Sequence, residues 1–191
     1  SGREIAKAIL LCEQKIVQRL PFQSKEVEEE FYLQLNLLGK SKVYAKAMRN
    51  IKKVARNNSP VFVRGESGTG KELVARAIHY ISDRRGQPFV PINCGAFTDE
   101  LILSELFGHQ RGAFTGASTD RVGLLETANG GTLFLDEVDA LSPKAQVSLL
   151  RYLQEGEIRP IGSNKVKNVE VRVISATNKD TKELVEKDLL R

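Results

Sequence analysis

The chain has 191 residues, of which 41% are hydrophobic and 28% charged, a mixture typical of a folded globular protein. Its longest uninterrupted apolar run, from Ala8 to Cys12, is far shorter than the roughly 18 residues of a membrane span. The net charge of +5 suits anionic ligands but does not by itself indicate nucleic acid. Cys12 and Cys94 lack metal-binding spacing and are expected to be reduced thiols, so we predict a cytoplasmic protein without membrane association.

The first part of the chain has the apolar spacing of helices. Residues 3–20 predict one helix that stops at Pro21, and Ser24 is placed to cap a second helix that ends at Gly39. We interpret residues 1–36 as a helical lead-in. Simple packing against the next domain is the favoured role for such amphipathic helices, and the tail of an upstream regulatory domain is the alternative.

A basic helix is predicted next. From Lys40 to Arg64 there are eight basic residues and no acidic one. The apolar positions that we expect to face inward are Val43, Ala47, Ile51 and Val54. A solvated face is the favoured interpretation of the charges, and a phosphate or polymerase contact is the alternative.

Beyond Pro60 the pattern changes to alternating strands and helices. Helical patterns begin near Lys71, Asp99 and Pro143, and residues 159–164 indicate a hairpin turn before the last strand. The predicted strands are Val61–Val63, Phe89–Ile92, Thr132–Leu135 and Val169–Ile174. This alternation predicts an α/β fold with a mainly parallel sheet flanked by helices.

The strongest motif lies between the first strand and the helix that follows it. It consists of Gly65, Glu66, Ser67, Gly68, Thr69, Gly70 and Lys71, which have the spacing of a phosphate-binding P-loop. Glycines allow consecutive N–H groups to point at phosphate oxygens, and Lys71 can reach the β- and γ-phosphates. Glu72 stands where a generic P-loop has a Mg²⁺-ligating Ser or Thr, so the metal requires another acid, phosphate oxygens and water.

That acid is predicted at the end of the third strand. Asp136 is placed to hold Mg²⁺ through water, and Glu137 can polarise the water that attacks the γ-phosphate. Asn93 and the pair Thr177 and Asn178 follow two other strands, at the edge where α/β sheets bind ligands. These residues could sense the γ-phosphate or restrain Glu137, or they could simply begin loops.

A loop of small residues, Gly112–Ala117, presents one aromatic side chain. Its members are Gly112, Ala113, Phe114, Thr115, Gly116 and Ala117. Such a loop can change conformation at little cost, because Gly and Ala have little side chain to repack. From composition alone, the favoured interpretation is that Phe114 packs in the core and the glycines merely turn the chain.

Together these motifs resemble a known family. Residues Gly65–Glu72, Glu105–His109, Gly112–Ala117 and Gly130–Glu137 are similar to the AAA+ P-loop NTPase domain of bacterial sigma-54-dependent transcriptional activators, the NtrC-like enhancer-binding proteins. The likeness covers residues 37–191, and Glu72 is normal for this family. It implies an ATP- and Mg²⁺-dependent ATPase whose Gly112–Ala117 loop projects and contacts sigma-54, with the hairpin at 159–168 working beside it.

The resemblance also implies roles for single residues. Asn93 corresponds to a switch residue that pairs with Glu137, and Thr177 and Asn178 correspond to the first nucleotide sensor. Arg191 aligns by its distance from Asn178 with the first of two trans-acting arginine fingers. Gln110 departs from the Glu that many members carry, which puts the coupling around the loop in doubt.

At the level of the whole protein, the resemblance implies a hexameric ring that remodels sigma-54 RNA polymerase holoenzyme and promotes open-complex formation. The sequence lacks the family's helical lid, its second arginine finger and its C-terminal DNA-binding domain, so we expect a truncated fragment that is poorly active alone. DNA would be bound through that C-terminal domain. The alternatives are a nucleotide-binding regulator without useful turnover and a remodeller of another AAA+ class without sigma-54 coupling.

Overall fold

The computed structural model describes residues 41–186, together with Leu33, Leu37 and Gly39. The lead-in predicted for residues 1–36, apart from Leu33, and the predicted arginine finger Arg191 lie outside the described residues. The chain divides into two compact units. One contains Ser1–Asn58 with Leu73–Gln87, and the other contains Ser59–Glu72 with Pro88–Arg191.

The smaller unit contains the basic helix, α1 (Lys42–Ala55). The Ser41 hydroxyl caps it by accepting the Tyr44 N–H at 3.1 Å. Our prediction of its inward face was partly wrong, because Val43 is 79% exposed and Ala47 is also exposed. The buried stripe consists instead of Met48, Ile51 and Ala55, and Val54 is half-buried. Ile51 belongs to both sets, whereas Met48 and Ala55 pack in place of their neighbours Ala47 and Val54.

The larger unit is built on a four-stranded parallel sheet. Its strands are β1 (Val61–Arg64), β2 (Phe89–Asn93), β5 (Thr132–Asp136) and β8 (Arg172–Thr177). They lie in the order β1-β8-β5-β2. Strand β5 lies between β8 and β2. Its successive residues Leu133, Phe134 and Leu135 are all buried, so both faces of the strand are covered, which explains its continuous apolar run. The predicted parallel α/β sheet is confirmed.

Four of the remaining helices lie between strands, and the last one follows β8. They are α2 (Lys71–Ile81), α3 (Asp99–Phe107), α4 (Leu124–Thr127), α5 (Pro143–Glu155) and α6 (Thr181–Glu186). The three predicted helix starts are confirmed. The hydroxyl of Ser142 caps α5, Pro143 occupies its first turn, and Gly156 ends it at a φ of 70°. No helix among the described residues is long and apolar enough to cross a membrane.

The fourth strand begins three residues later than the sequence predicts. We expected Val169–Ile174, whereas the strand runs from Arg172 to Thr177. The N–H of Val169 donates to the Gly156 carbonyl at 3.0 Å, and the N–H of Val171 donates to the Tyr152 hydroxyl at 3.0 Å. Val169 and Val171 are thus held by the end of α5, and Glu170 is held by Asn129 and Gly130, so the ladder of β8 begins only at Arg172.

Two short antiparallel ribbons extend the larger unit. One pairs β3 (Gly108–His109) with β4 (Arg121–Val122), and the other pairs β6 (Glu157–Ile158) with β7 (Lys167–Asn168). The second ribbon confirms the predicted hairpin before the last strand. The first ribbon closes the segment that contains Gly112–Ala117. This loop and the hairpin at 159–168, together called the two insertions, therefore both leave the fold on paired strands.

Candidate functional site

The carboxyl ends of the parallel strands meet at one edge of the sheet. The register pairs Arg64 with Thr177, and it pairs Asn93 with Asp136. Neighbouring strands lie about 4.8 Å apart, and β8 alone separates β1 from β5. The loop that follows Arg64 therefore begins within roughly 10 Å of the end of β5.

The P-loop has the backbone conformation of a phosphate cradle. Gly68 and Gly70 have φ values of 76° and 81°, which L side chains rarely adopt. The Thr69 hydroxyl closes the turn by donating to the Glu66 carbonyl at 2.7 Å. A Cβ on Gly65 would lie 2.7 Å from the Thr69 hydroxyl oxygen, so glycine is also required at the start of the loop.

Lys71 combines the end of this loop with the start of α2. Its Nζ donates to the carbonyls of Gly65 and Glu66, each at 3.2 Å, which keeps the ammonium over the loop. Glu66, Ser67 and Glu72 are exposed. A helix N-terminus, positive-φ glycines and a nearby ammonium form a concave array of donors that fits the phosphates of a nucleotide.

The two acids end β5 at the same edge. Asp136 is the last residue of the strand, and its Oδ1 accepts the Glu137 N–H at 3.0 Å. Glu137 has φ 52° and ψ 46°, and it is the one non-glycine residue with positive φ among those described. Such a conformation in a non-glycine residue persists where the surroundings fix it, and it often marks a functional site.

Asn93 and Gly95 lie against this acid pair. The Asn93 Oδ1 accepts the Gly95 N–H at 2.8 Å and caps the short turn Cys94–Ala96. A Cβ on Gly95 would overlap Oε2 of Glu137 and would lie 3.3 Å from Oδ1 of Asn93. The structure therefore brings Asn93 and Glu137 together around Gly95, a residue that our sequence analysis did not single out.

Thr177 is the last residue of β8 and Asn178 follows it, and the two side chains have different environments. Thr177 is fully buried, and its hydroxyl donates to Oδ1 of Asp139. Asn178 is exposed at the same edge. Oδ2 of Asp139 pairs with the Lys179 ammonium at 2.8 Å. Burial opposes ionisation of this carboxyl, but the hydrogen bonds from Lys179 and Thr177 outweigh it and lower the pKa of Asp139 below 3.8.

Sequence reasoning missed Asp139. It follows Asp136 by three residues, so a single short turn after the strand places both carboxylates near the sheet edge. This spacing could have identified it as a candidate. Its partners could not have been identified, because Thr177 lies 38 positions away in the chain.

The acids also affect a buried thiol. Cys94 is 2% exposed, and burial together with the negative charges of Asp136, Glu137 and Asp139 raises its pKa to about 12. The end of β5 is thus an electronegative region near the Lys71 ammonium and the N-terminus of α2. A metal–phosphate complex matches that separation of charge.

The acid pair fits magnesium better than a metal held by protein alone. In the part of the chain that the structure describes, no group of three or more His, Cys, Asp and Glu side chains could hold a metal ion. Mg²⁺ usually keeps several waters and binds through one or two carboxylates together with substrate phosphates. Asp136 at the strand end is the residue suited to that role.

The Gly112–Ala117 loop is held by its own backbone. The Gly112 N–H donates to the Ala117 carbonyl at 2.8 Å, and Ala117 is buried. Phe114 is half-buried, and its ring stands edge-on to the ring of His109 at a centroid distance of 5.0 Å. Thr115 is exposed at the tip. The aromatic side chain thus rests on the base of the loop.

The base of this loop is hydrogen-bonded to the second insertion, the hairpin at 159–168. The Gln110 N–H donates to the Ile161 carbonyl at 2.9 Å, and the Ile161 N–H donates to the Gly108 carbonyl at 2.9 Å. His109 is buried and shares a 2.6 Å hydrogen bond with the Ser104 hydroxyl of α3. The two insertions therefore form one connected structure at the end of α3.

Comparison with known proteins identifies the family. The sequence profile described as "Sigma-54 interaction domain" matches residues 37–191. The chain is 50% identical over 157 residues to a Nif-specific regulatory protein of Azorhizobium caulinodans, covering 82% of this chain and 26% of that protein. It is 61% identical over 126 residues to the hydrogenase transcriptional regulatory protein HoxA of Bradyrhizobium diazoefficiens, covering 66% and 26%.

Solved structures agree with this assignment. NtrX from Brucella abortus in complex with ATP has a TM-score of 0.74 at 32% identity, covering 97% of this chain and 39% of that one. A P-loop NTPase domain of a sigma-54 activator from E. coli has a TM-score of 0.52 at 19% identity, which supports the fold alone. The chain spans about a quarter of the length of the two curated regulatory proteins named above. The chain belongs to the sigma-54 interaction domain family and has the AAA+ P-loop NTPase fold.

Proposed function

We propose that this chain is the ATPase portion of a sigma-54-dependent transcriptional activator. The observation that carries the proposal is the meeting of the P-loop, Asp136, Glu137 and Asn93 at one sheet edge, in a chain that matches the sigma-54 interaction family. In the whole protein, this portion would form a hexameric ring and remodel sigma-54 RNA polymerase to open promoters. DNA would be bound by a separate domain, and the protein would work in the cytoplasm.

The residues of the site divide the chemistry of hydrolysis. Lys71 and the P-loop N–H groups bind the phosphates of ATP, and Asp136 holds Mg²⁺ through water. Bound Mg²⁺ supplies neutralisation of the developing phosphate charge. Glu137 accepts a proton from the attacking water. Its contact with Gly95, beside Asn93, supports a resting position from which the carboxylate can be restrained or released.

The remaining assignments concern communication between the site and its partners. We place Asn178 and Thr177 as the sensor at the end of β8, and Arg191 as a finger that reaches a neighbouring subunit. The Gly112–Ala117 loop would contact sigma-54 through Phe114, supported by the second insertion to which its base is bonded. The alternative is a nucleotide-binding AAA+ module that lacks sigma-54 coupling.

The hydrolysis assignment is tested with Glu137→Gln in the full-length activator. The amide keeps the size of the side chain but cannot accept the proton, so ATP should bind and persist unhydrolysed. Open-complex formation with sigma-54 polymerase should fail in parallel. Glu155→Gln, at an exposed position on α5, is the matched control and should behave as the parent. Turnover by Glu137→Gln at the parental rate would remove Glu137 from this role.

Coupling is tested separately with Phe114→Ala. The variant should hydrolyse ATP but fail to bind sigma-54 in the presence of a transition-state mimic. Leu150→Ala, which trims an exposed apolar side chain on α5, should retain both activities. If Phe114→Ala instead unfolds several kcal/mol more easily, as a fully buried Phe would, the core interpretation of this side chain is correct.

We also propose that the 191 residues alone turn ATP over slowly. The resemblance implies a second trans-acting arginine besides Arg191, and the loss of such an arginine costs about 10³–10⁵ in rate in related phosphoryl transfer. The measurement is turnover per subunit across a wide concentration range, beside a longer chain that includes the family's helical lid. Equal turnover by the two chains, or a steep rise with concentration in the shorter one, would contradict this expectation.

A further inference from the structure

We propose that Asp139 is a positioning residue for Glu137, acting through a bridge to the end of β8. The bridge consists of Asp139, Thr177 and Lys179. This inference rests on the proposed ATPase function of the site. It concerns a carboxylate that neither binds nucleotide nor accepts a proton in the mechanism above.

The first half of the bridge belongs to the turn that carries Glu137. Glu137 begins the short turn Val138–Ala140, and the Ala140 N–H donates to the Glu137 carbonyl at 2.8 Å. Asp139 lies inside this turn, and its side chain is 5% exposed. Only Val138 thus separates the proposed base from a buried carboxylate within one small hydrogen-bonded unit.

The second half of the bridge belongs to β8. Both oxygens of Asp139 are engaged there, Oδ1 by the Thr177 hydroxyl and Oδ2 by the Lys179 ammonium at 2.8 Å. The Thr177 hydroxyl also accepts the Lys179 N–H at 3.1 Å. Asn178 stands between these two partners, so the carboxylate fixes the chain on both sides of Asn178.

The bridge continues to the P-loop. The Thr177 carbonyl accepts the Gly65 N–H at 3.2 Å, at the first residue of the loop. One connected series of hydrogen bonds therefore links the Glu137 turn, the end of β8 and the phosphate cradle. Thr177 bonds to all the other parts of this series, and it is fully buried.

Physical chemistry favours a positioning role over an incidental ion pair. A buried carboxylate is costly unless it is paired and hydrogen-bonded, and here both conditions are met. Glu137 occupies a left-handed backbone conformation that a non-glycine residue keeps only where its surroundings enforce it. The bonds from Asp139 to Thr177 and Lys179 anchor that turn to a segment outside it. Loss of this anchor should let the turn relax and move the Glu137 carboxylate.

The test measures ATP hydrolysis by the full-length activator with Asp139→Asn, Lys179→Met and the double variant. We expect Asp139→Asn to lower kcat at least tenfold, with the affinity for a non-hydrolysable ATP analogue within twofold of the parent. Lys179→Met should lower kcat less. The double variant should be no slower than Asp139→Asn, because both changes break the same bridge.

Matched controls separate positioning from general stability. Arg151→Met breaks an exposed ion pair of the same 2.8 Å length on α5, and its kcat should equal that of the parent. Thermal unfolding of each variant accompanies the kinetics. Lys179 has a side chain that is 56% exposed, so Lys179→Met provides a folded variant if Asp139→Asn does not fold.

The inference would be overturned by a parental kcat in Asp139→Asn. If Asp139→Asn does not fold, a parental kcat in Lys179→Met would overturn it instead. It would also be overturned if the kcat losses of the two single variants multiplied in the double variant. A loss confined to KM would also overturn it, because it would indicate a binding role. Failure of the proposed function is distinguishable. It would appear as absent turnover in the parent, or as parental turnover in Glu137→Gln.

Discussion

A single methyl group added at Gly95 tests the placement of the Glu137 carboxylate. A Cβ built on Gly95 overlaps Oε2 of Glu137, so Gly95→Ala forces this carboxylate to move. Gly95 is exposed and does not require a left-handed φ, so its backbone accepts alanine without strain. The Gly95 N–H can still donate to Asn93. The perturbation therefore falls on the side chain of the proposed base.

The expected effect is large on catalysis and small on stability. Relief of the overlap requires a shift of about 1 Å, and a misplacement of that size can cost about 10²-fold in rate. A hundredfold loss corresponds to about 2.7 kcal/mol in the activation free energy. The displaced carboxylate is the free end of a flexible side chain, so the free energy of unfolding should change by about 0.5 kcal/mol or less.

The assay compares three quantities in the full-length activator. They are kcat at saturating ATP, the dissociation constant of a fluorescent ATP analogue, and the midpoint of urea unfolding. The expected pattern is a reduced kcat with the other two unchanged. Gly86→Ala is the control, since a Cβ at Gly86 would meet no atom within 4 Å.

Two results would refute this reasoning. Parental kcat in Gly95→Ala would mean that the observed position of Glu137 is not the one from which water is activated. A weakened nucleotide affinity with unchanged kcat would mean that Gly95 acts on binding. In either case the roles of Asn93 and Glu137 would have to be assigned again.

Further predictions concern binding, a thiol and acid stability. Lys71→Ala should abolish detectable binding of the ATP analogue, because no other cation of the P-loop can replace its Nζ; binding within twofold of the parent would contradict this. In a Cys12→Ser background, Cys94 should react with a thiol reagent at about pH 8 far more slowly in the native protein than in denaturant, because a raised pKa and burial both suppress the thiolate. Equal rates in the two states would be the contrary result. The lowered pKa of Asp139 stabilises the fold above the ordinary value of 3.8, and this contribution is lost as the pH falls through 3.8 and below. The loss of unfolding free energy between about pH 5 and pH 3 should therefore be smaller in Asp139→Asn than in the parent.

Strong local constraints explain which features could be predicted from sequence. The P-loop is recognisable because its conformation depends on glycines at fixed spacing, and Gly68 and Gly70 do adopt positive φ. The central strand β5 is recognisable because a strand with both faces covered is apolar throughout. Polar residues directly after such strands then locate the site, since parallel strands end at one edge.

Features fixed by distant partners could not be predicted in this way. The face of α1 depends on which apolar residues meet the rest of its unit, and several near-equivalent stripes were available. The start of β8 depends on the Tyr152 hydroxyl, which takes the N–H of Val171 away from the ladder. The contact of Gly95 with Glu137 joins residues 42 positions apart, and a glycine in a short turn gives no local sign of it.

The route of contacts and hydrogen bonds from the acid pair to the Gly112–Ala117 loop is short. Asn93 and Gly95 lie against Glu137 at one end, and α3 follows them within four residues. At its other end, α3 bonds through Ser104 to His109, on whose ring Phe114 rests. A helix of nine residues is stiff compared with the loops around it, so we expect the position of the Glu137 carboxylate, which lies against the turn before α3, to influence Ser104 farther along the helix. Under the proposed function, Gly95→Ala should therefore change sigma-54 binding as well as hydrolysis, whereas Phe114→Ala should change binding alone.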